Sequence, residues 1–346
     1  MRKIPLIFSG IVSLVILLVA CSKADTPATG GNVFTAVAAA FGAQIDLNNL
    51  ANYAAQTKPA YIVKDNTGNN PITNAKATLG RVLFYDKKLS IDNTISCASC
   101  HKQAFAFSDT ALISSGVAGG LTDRHSMRLV NERFGVEAKF FWDERAANLE
   151  NQTTQPIADH KEMGFSGQAG RAGIAALLAK LQATDYYNEL FKFTYGDITV
   201  TEPRLQECLA QFVRSIQSFD AKYDIGRAQV NNDRQPFPNF TTQENTGKDL
   251  FLTPPVFDGN SSRIGGGLGC NACHTAPEFD IDPNTRNNGV IALAVGAGQD
   301  INVTRAPTLR DLVNNRGELN TRLMHTGGIR DIATAVSHYG GFINDN

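Results

Sequence analysis

The sequence predicts a mainly α protein built in two halves, and three observations carry that reading. Apolar residues recur at helical spacing along most of the chain, while alternating strand patterns are scarce. The length, 346 residues, suits two domains. One five-residue motif also occurs twice: Cys97-Ala98-Ser99-Cys100-His101 and Cys270-Asn271-Ala272-Cys273-His274. The two copies lie on either side of an Asn-, Asp- and Pro-containing stretch, 226–240, that reads as a linker.

The elements follow in order. Arg2 and Lys3 precede an apolar stretch, 4–20, that ends in Leu18-Val19-Ala20-Cys21-Ser22. A positive start, an apolar centre and small residues at the break read as a secretory signal over 1–20. The break resembles a bacterial lipobox, in which Cys21 is lipidated and becomes the mature N-terminus; an uncleaved anchor helix is the alternative. Either way the chain is expected to be exported and tethered to a membrane, a periplasm-facing lipoprotein of the bacterial cell envelope. Residues 21–74 form a tether and N-terminal segment, flexible over 22–32, with a short helix over 33–41 and a loop over 66–74. The first domain is placed at 75–225. It holds one helix over 174–193 and the clearest helix of the chain over 202–223. That helix carries the stripe Leu205, Leu209, Phe212, Ile216, Phe219 and Tyr223, with Thr201 as its cap and Pro203 in its first turn. After the linker, Thr241-Thr242-Gln243-Glu244 offers a capping box that opens the second domain, 241–346. Gly265-Gly266-Gly267 is not a phosphate loop, because no strand is expected before it and no Lys-Ser/Thr follows.

Composition narrows the function classes. The net charge of −1 implies no nucleic-acid binding, and no internal apolar run is long enough to span a membrane. Of six cysteines, four lie in the repeated motif, Cys21 takes the lipid, and Cys208 sits in the apolar-striped helix, where it reads as a small buried hydrophobe.

The repeated motif carries the chemistry. Two thiols three residues apart can each bond one vinyl group of a single haem, and the adjacent histidine then supplies an iron ligand; C-x-x-C-H is the attachment signature of c-type haem. Zinc would gather both C-x-x-C pairs into one four-cysteine site and leave each histidine without a role. A redox dithiol is the other alternative. The expectation is two covalently bound c-type haems, held by Cys97, Cys100 and His101 and by Cys270, Cys273 and His274.

The surrounding motifs carry a resemblance. Leu79-Gly80-Arg81-Val82-Leu83-Phe84-Tyr85-Asp86, with Leu89-Ser90 and Ile95-Ser96-Cys97, is similar to the lead-in to the first haem of bacterial dihaem cytochrome c peroxidases. So is Phe141-Trp142-Asp143-Glu144-Arg145-Ala146, followed by Leu149, Gln152, Pro156-Ile157 and Glu162-Met163. The second half adds 247–251, Arg305-Ala306-Pro307-Thr308-Leu309-Arg310 and His325-Thr326-Gly327. The chain is identified from these, over about 77–341, as a member of the dihaem cytochrome c peroxidase/MauG family. The resemblance implies two cytochrome c-like haem domains facing a shared interface. It implies Glu162 as the acid–base for peroxide cleavage, Gln152 as an amide in the same pocket, and Trp142 as an electron carrier between the haems. Arg145 is left to pair with a haem propionate or with Asp143.

The sequence departs from the family pattern in four places. Val117 stands where peroxidases that need reductive activation carry a histidine that blocks the first iron, so that iron is expected to be open. His125 stands where the family has an Asn that helps bind calcium between the domains, which argues against calcium; it is read either as a residue able to swing onto the iron or as a structural histidine. Tyr339 stands at the position of the second iron's distal Met, with His338 and Met324 as competing ligands; a phenolate lowers the haem potential relative to a thioether. The chain also stops at Asn346, where family members usually continue into a closing helix, leaving either a fragment or a domain without that helix.

The function these readings imply is reduction of hydrogen peroxide to water at the first haem, with electrons from an external small cytochrome c or copper protein (cupredoxin). One alternative is a MauG-like oxidase that uses high-valent haem to oxidise a protein or small molecule. Another, of a different class, is a non-catalytic dihaem electron carrier.

Overall fold

The computed structural model describes residues 34–136, 139–281 and 286–342. The expected signal segment, 1–20, and the expected lipidation site Cys21 lie outside these residues. Among the described residues the chain is helical with two small hairpins. Its helices are α1 (Thr35–Phe41), α2 (Asn74–Tyr85), α3 (Cys97–Cys100), α4 (Leu149–Ala158), α5 (Ile174–Gln182), α6 (Asp185–Tyr195), α7 (Glu202–Arg214), α8 (Lys222–Arg227), α9 (Thr242–Leu252) and α10 (Ile332–Phe342). Strands β1 (Pro255–Phe257) and β2 (Arg263–Gly266) pair antiparallel, as do β3 (His274–Thr275) and β4 (Asp280–Ile281). The first hairpin puts strands beside the glycine run, where the sequence suggested none. None of the described helices is long and apolar enough to cross a membrane.

The core of the first half is the packing of α2 on α7. Leu79, Leu83 and Phe84 of α2 and Leu205, Leu209 and Phe212 of α7 are all buried. Gly80 makes the close approach possible: a Cβ there would lie 1.9 Å from the Cys208 carbonyl oxygen. Cys208 is fully buried in this contact, as its place in the apolar stripe requires. Thr73 caps α2 by accepting from Lys76 N–H (3.2 Å), and its own N–H donates to the Gln211 amide oxygen (2.8 Å) of α7. The same backbone-to-cap logic starts α7 at Thr201 and α9 at Thr241, as expected.

Two expected helices are divided. The 202–223 helix ends at Arg214, because Asn131 captures the following backbone. Its N–H bonds the Ile216 carbonyl (2.8 Å), its amide donates to the Ser218 carbonyl (3.0 Å), and its amide oxygen accepts from Ser218 N–H (2.8 Å). The chain restarts as α8, where the Asp224 carboxylate accepts from Ala221 N–H (3.2 Å). The 174–193 helix breaks at Thr184, whose backbone is extended and whose hydroxyl turns back to the Lys180 carbonyl (2.9 Å).

The two halves are joined by buried charge. Arg305 donates to the Glu132 carboxylate (2.7 Å) and to the Lys139 carbonyl. Arg310 pairs with Asp224 and lies over the rings of Phe219, Tyr223 and Phe279.

Candidate functional site

The first C-x-x-C-H motif forms the single turn α3 and opens onto a cavity of about 950 Å³. Cys97, Cys100 and His101 line it together with Trp142, Gln152 and Glu162, so the residues singled out in the first half converge on one space. The second half closes it with Leu293, Val295, Gln299, Asp300 and Arg305.

His101 is prepared as a metal ligand. Its Nδ1 lies 2.9 Å from the Phe107 carbonyl and 3.0 Å from the Met127 carbonyl. Both partners are acceptors, so Nδ1 carries the hydrogen and Nε2 keeps its lone pair. A ligating imidazole is held and made more basic in this way. Burial also lowers the His101 pKa, which favours the neutral ring. Burial and mutual repulsion push the Cys97 thiol up to about 12, and burial pushes Cys100 up to about 11. A redox dithiol requires the opposite shift. The zinc reading fails on placement: among the described residues no group of three or more His, Cys, Asp or Glu side chains comes together to hold a metal ion.

Glu162 is held by its backbone. The Asp159 carboxylate accepts from Lys161 N–H (2.7 Å) and Glu162 N–H (3.0 Å), and the Glu162 carbonyl accepts from Val117 N–H (2.9 Å). The loop that carries Val117 can lie this close only because residue 116 is glycine; a Cβ there would sit 1.9 Å from the Lys161 carbonyl oxygen. The Val117 side chain is buried against this loop, at the position where a blocking histidine was sought. Burial, reinforced by the Asp159 carboxylate, raises the Glu162 carboxyl to about 7, and Arg145 opposes that rise. Gln152 lies on α4, four residues before Pro156, which has no N–H to donate to the Gln152 carbonyl.

Trp142 is buried between the halves. Its indole N–H donates to the His125 carbonyl (2.7 Å), its carbonyl accepts from Thr304 and Arg305 N–H (both 3.0 Å), and its ring meets His325 edge-on at 6.2 Å. Arg145 donates to Asp143 (2.8 Å), one of its two expected partners, and stacks on Phe141. Asp143 also binds Arg124, which bridges to Asp300 of the second half (2.7 and 2.6 Å). His125 is a structural histidine. Nδ1 faces the Leu112 carbonyl (3.1 Å), Nε2 faces the Thr321 hydroxyl (2.8 Å), and its N–H donates to the His325 carbonyl (2.7 Å). With both ring nitrogens engaged, it is not poised to swing onto an iron.

The second motif is built differently. Cys270–Ala272 makes a 3₁₀ turn and His274 begins β3. His274 is held neutral, its pKa lowered to about 4 by burial and by the neighbouring Arg128 cation. Tyr339 on α10 lies close enough to Cys273 and Cys270 for both to raise its pKa, although burial is the larger cause. Asn288 organises this end. Its amide nitrogen lies 3.2 Å from the Met324 sulfur and 3.5 Å from the Tyr339 hydroxyl, and its carbonyl accepts from His338 Nε2 (2.8 Å). His338 is thus turned to backbone, and Tyr339 and Met324 share one amide donor. Asn288 and Arg128 went unnoticed in the sequence. The Asn287-Asn288-Gly289 run signals a turn, but nothing local points from it to Tyr339.

Helical packing, a prepared histidine beside paired thiols and a large cavity define a haem oxidoreductase of cytochrome c type. The comparisons make the family specific. The family model for di-haem cytochrome c peroxidase matches residues 74–232. The chain is 28% identical over 279 residues to the methylamine utilization protein MauG of Methylophilus methylotrophus, covering 78% of this chain and 74% of that protein. It is 28% identical to the cytochrome c551 peroxidase of Nitrosomonas europaea, covering 76% and 72%. A crystal structure of a MauG-like protein associated with microbial copper homeostasis superposes with a TM-score of 0.60 at 25% identity, covering 81% of this chain and 80% of that one. The diheme peroxidase BthA from Burkholderia thailandensis shares the fold, with a TM-score of 0.53 at 22% identity, covering 84% and 77%. Residues 74–232 thus match the dihaem cytochrome c peroxidase/MauG family, and the relatives to which the wider chain is similar include both peroxidases and MauG proteins.

Proposed function

We propose that this protein is a dihaem peroxidase that reduces hydrogen peroxide to two molecules of water, consuming two electrons and two protons. Cys97, Cys100 and His101 would hold one c-type haem covalently, and Cys270, Cys273 and His274 a second, in two cytochrome c-like domains that face each other. The first haem, when bound, supplies the iron that receives peroxide and passes it electrons. The observation that carries the reading is Glu162, a carboxyl with its pKa at about 7 on the wall of the His101 cavity. A group poised there takes a proton at neutral pH as readily as it returns one. The Glu162 carboxylate accepts the proton of the attacking peroxide oxygen and delivers it to the departing oxygen as water forms. Gln152 orients the peroxide through its amide, which both donates and accepts. Trp142, clasped by both halves, carries electrons toward the cavity from the second site. The donor is a small cytochrome c or copper protein, and the chain works as a periplasm-facing lipoprotein anchored through Cys21.

Tyr339 supports a second reading, a MauG-like oxidase acting on a protein or small molecule. It faces Cys270 and Cys273 with Asn288 at its hydroxyl, and a phenolate ligand favours oxidised iron.

The test is Glu162→Gln. Wild type and variant are expected to retain two haems through acid–acetone extraction, while peroxide turnover with reduced cytochrome c falls by about 10²-fold, the scale of a lost general acid–base. Near-normal turnover removes Glu162 from the mechanism.

A further inference from the structure

One short segment, Met127-Arg128, acts on both histidines assigned to the irons. The Met127 carbonyl accepts from His101 Nδ1 (3.0 Å). The next residue, Arg128, turns the other way. Met127 and Leu129 line the cavity, whereas the Arg128 side chain is buried away from it (5% exposed) and reaches the second half, where its Nη2 donates to the Thr308 carbonyl. The Thr308 hydroxyl in turn donates to the Glu278 carbonyl (3.2 Å), inside the β3–β4 hairpin that His274 opens, so the guanidinium is tied to the backbone that carries His274 and acts on its ring electrostatically.

Among the described residues no carboxylate lies within ion-pairing distance of Arg128, and its Nε is buried without a hydrogen-bond partner. Glu132 and Asp311 act on it only at longer range, and Glu132 already bonds Arg305 (2.7 Å). Nothing elsewhere in the site requires a cation here. Arg128 does not line the peroxide cavity, and the hydrogen bond it makes among the described residues, to a backbone carbonyl, needs no net charge.

We propose that Arg128 is a positioning residue that sets the redox balance between the two sites, by holding a permanent positive charge beside His274 while the carbonyl before it polarises His101. The inference rests on the reading that His101 and His274 ligate two haems. Its physics is direct. Reduction removes one unit of positive charge from an iron centre, so a buried cation alongside favours the reduced state, and a buried charge is screened little by salt. A carbonyl accepting the proximal N–H makes the imidazole a stronger donor and favours the oxidised state. One short segment therefore pushes the two sites in opposite directions: the second toward accepting an electron, the first toward holding an oxidising equivalent. It also opposes a phenolate from Tyr339, which would depress the potential of the second haem.

The test uses the full-length holoprotein from a strain competent in c-type haem maturation. Haem is counted by pyridine haemochrome, and the two haems are followed through a redox titration by electron paramagnetic resonance. Arg128→Gln keeps a donor for the Thr308 carbonyl without the charge, Arg128→Met keeps the bulk without either, and Arg128→Lys keeps the charge. Either neutral variant is expected to shift the reduction equilibrium of the second haem at least tenfold toward ferric, about 59 mV for a one-electron couple. The first haem should shift less than half as far, and Arg128→Lys should restore most of the second haem's value. With two haems bound, an unchanged or raised second potential in the neutral variants overturns the proposal. So does a lysine variant that shifts as far as they do, because packing and not charge would then be responsible. A wild-type protein that carries a single haem overturns the two-haem reading beneath it.

Discussion

The two C-x-x-C-H motifs are alike in sequence and unlike in setting. Cys97–Cys100 is one turn of helix on the wall of a cavity of about 950 Å³, with a proximal histidine bonded through Nδ1 to two carbonyls. Cys270–Ala272 is a 3₁₀ turn running into a short strand, and its histidine is held neutral by burial and by the Arg128 cation, with the Pro307 carbonyl opposing. The first faces a carboxyl raised to about 7. The second faces a phenol, a thioether and the amide of Asn288 that touches both. Five residues suffice to attach a haem, but the elements brought against them decide whether that haem meets a substrate or a ligand. On the proposed reading, the first site would serve proton-coupled chemistry and the second would set a potential.

The strongest way to break the contrast is the pH profile of the first site. Glu162 must be ionised to accept the peroxide proton, and its carboxyl is raised to about 7 by burial. Below that pH it is increasingly protonated, so kcat/KM should fall about tenfold per pH unit, reaching about 100-fold at pH 5. In Glu162→Gln this acid limb should vanish. A limb that survives in the variant assigns the ionisation to another group.

The second site offers a smaller effect. If the Tyr339 phenolate binds iron, Tyr339→Met substitutes a thioether and should move the second haem's reduction equilibrium at least tenfold toward ferrous, about 59 mV. Turnover with reduced cytochrome c should rise with it. A ferric spectrum unchanged in Tyr339→Phe would mean that Tyr339 is no ligand, and the two sites would then differ less than their surroundings suggest.

The smallest effect compares the halves as folding units. Thr241 and Glu244 bond each other's N–H at 3.2 and 2.7 Å, whereas Thr201 makes one long bond of 3.4 Å to Arg204 N–H. Thr241→Ala should therefore cost about 1 kcal/mol in chemical denaturation, and Thr201→Ala less. The reverse order would show that capping is not what holds α9.

Much of the site was legible because its signals are local. A thiol spacing of three with an adjacent histidine is set by the haem itself, and the caps at Thr201 and Thr241 act within one helical turn. Family motifs pointed to Glu162, Gln152 and Trp142, and all three line the cavity of His101. What stayed hidden depends on partners far along the chain. The apolar stripe over 202–223 continues past Arg214 without a break, yet the helix stops there because Asn131, 87 residues before Ser218, takes the backbone bonds that would have extended it. His125 is fixed by Leu112 on one side and by Thr321, 196 residues away, on the other. Arg128 is an unremarkable cation in sequence and becomes a neighbour of His274 only when the halves close. The amino-acid sequence by itself determined where the paired thiols, their adjacent histidines and the helix caps lie, because those signals belong to side-chain type and short spacing. The tertiary structure alone decided which charge faces which iron site, because hydrogen bonds and fields act through space between segments that the sequence keeps far apart.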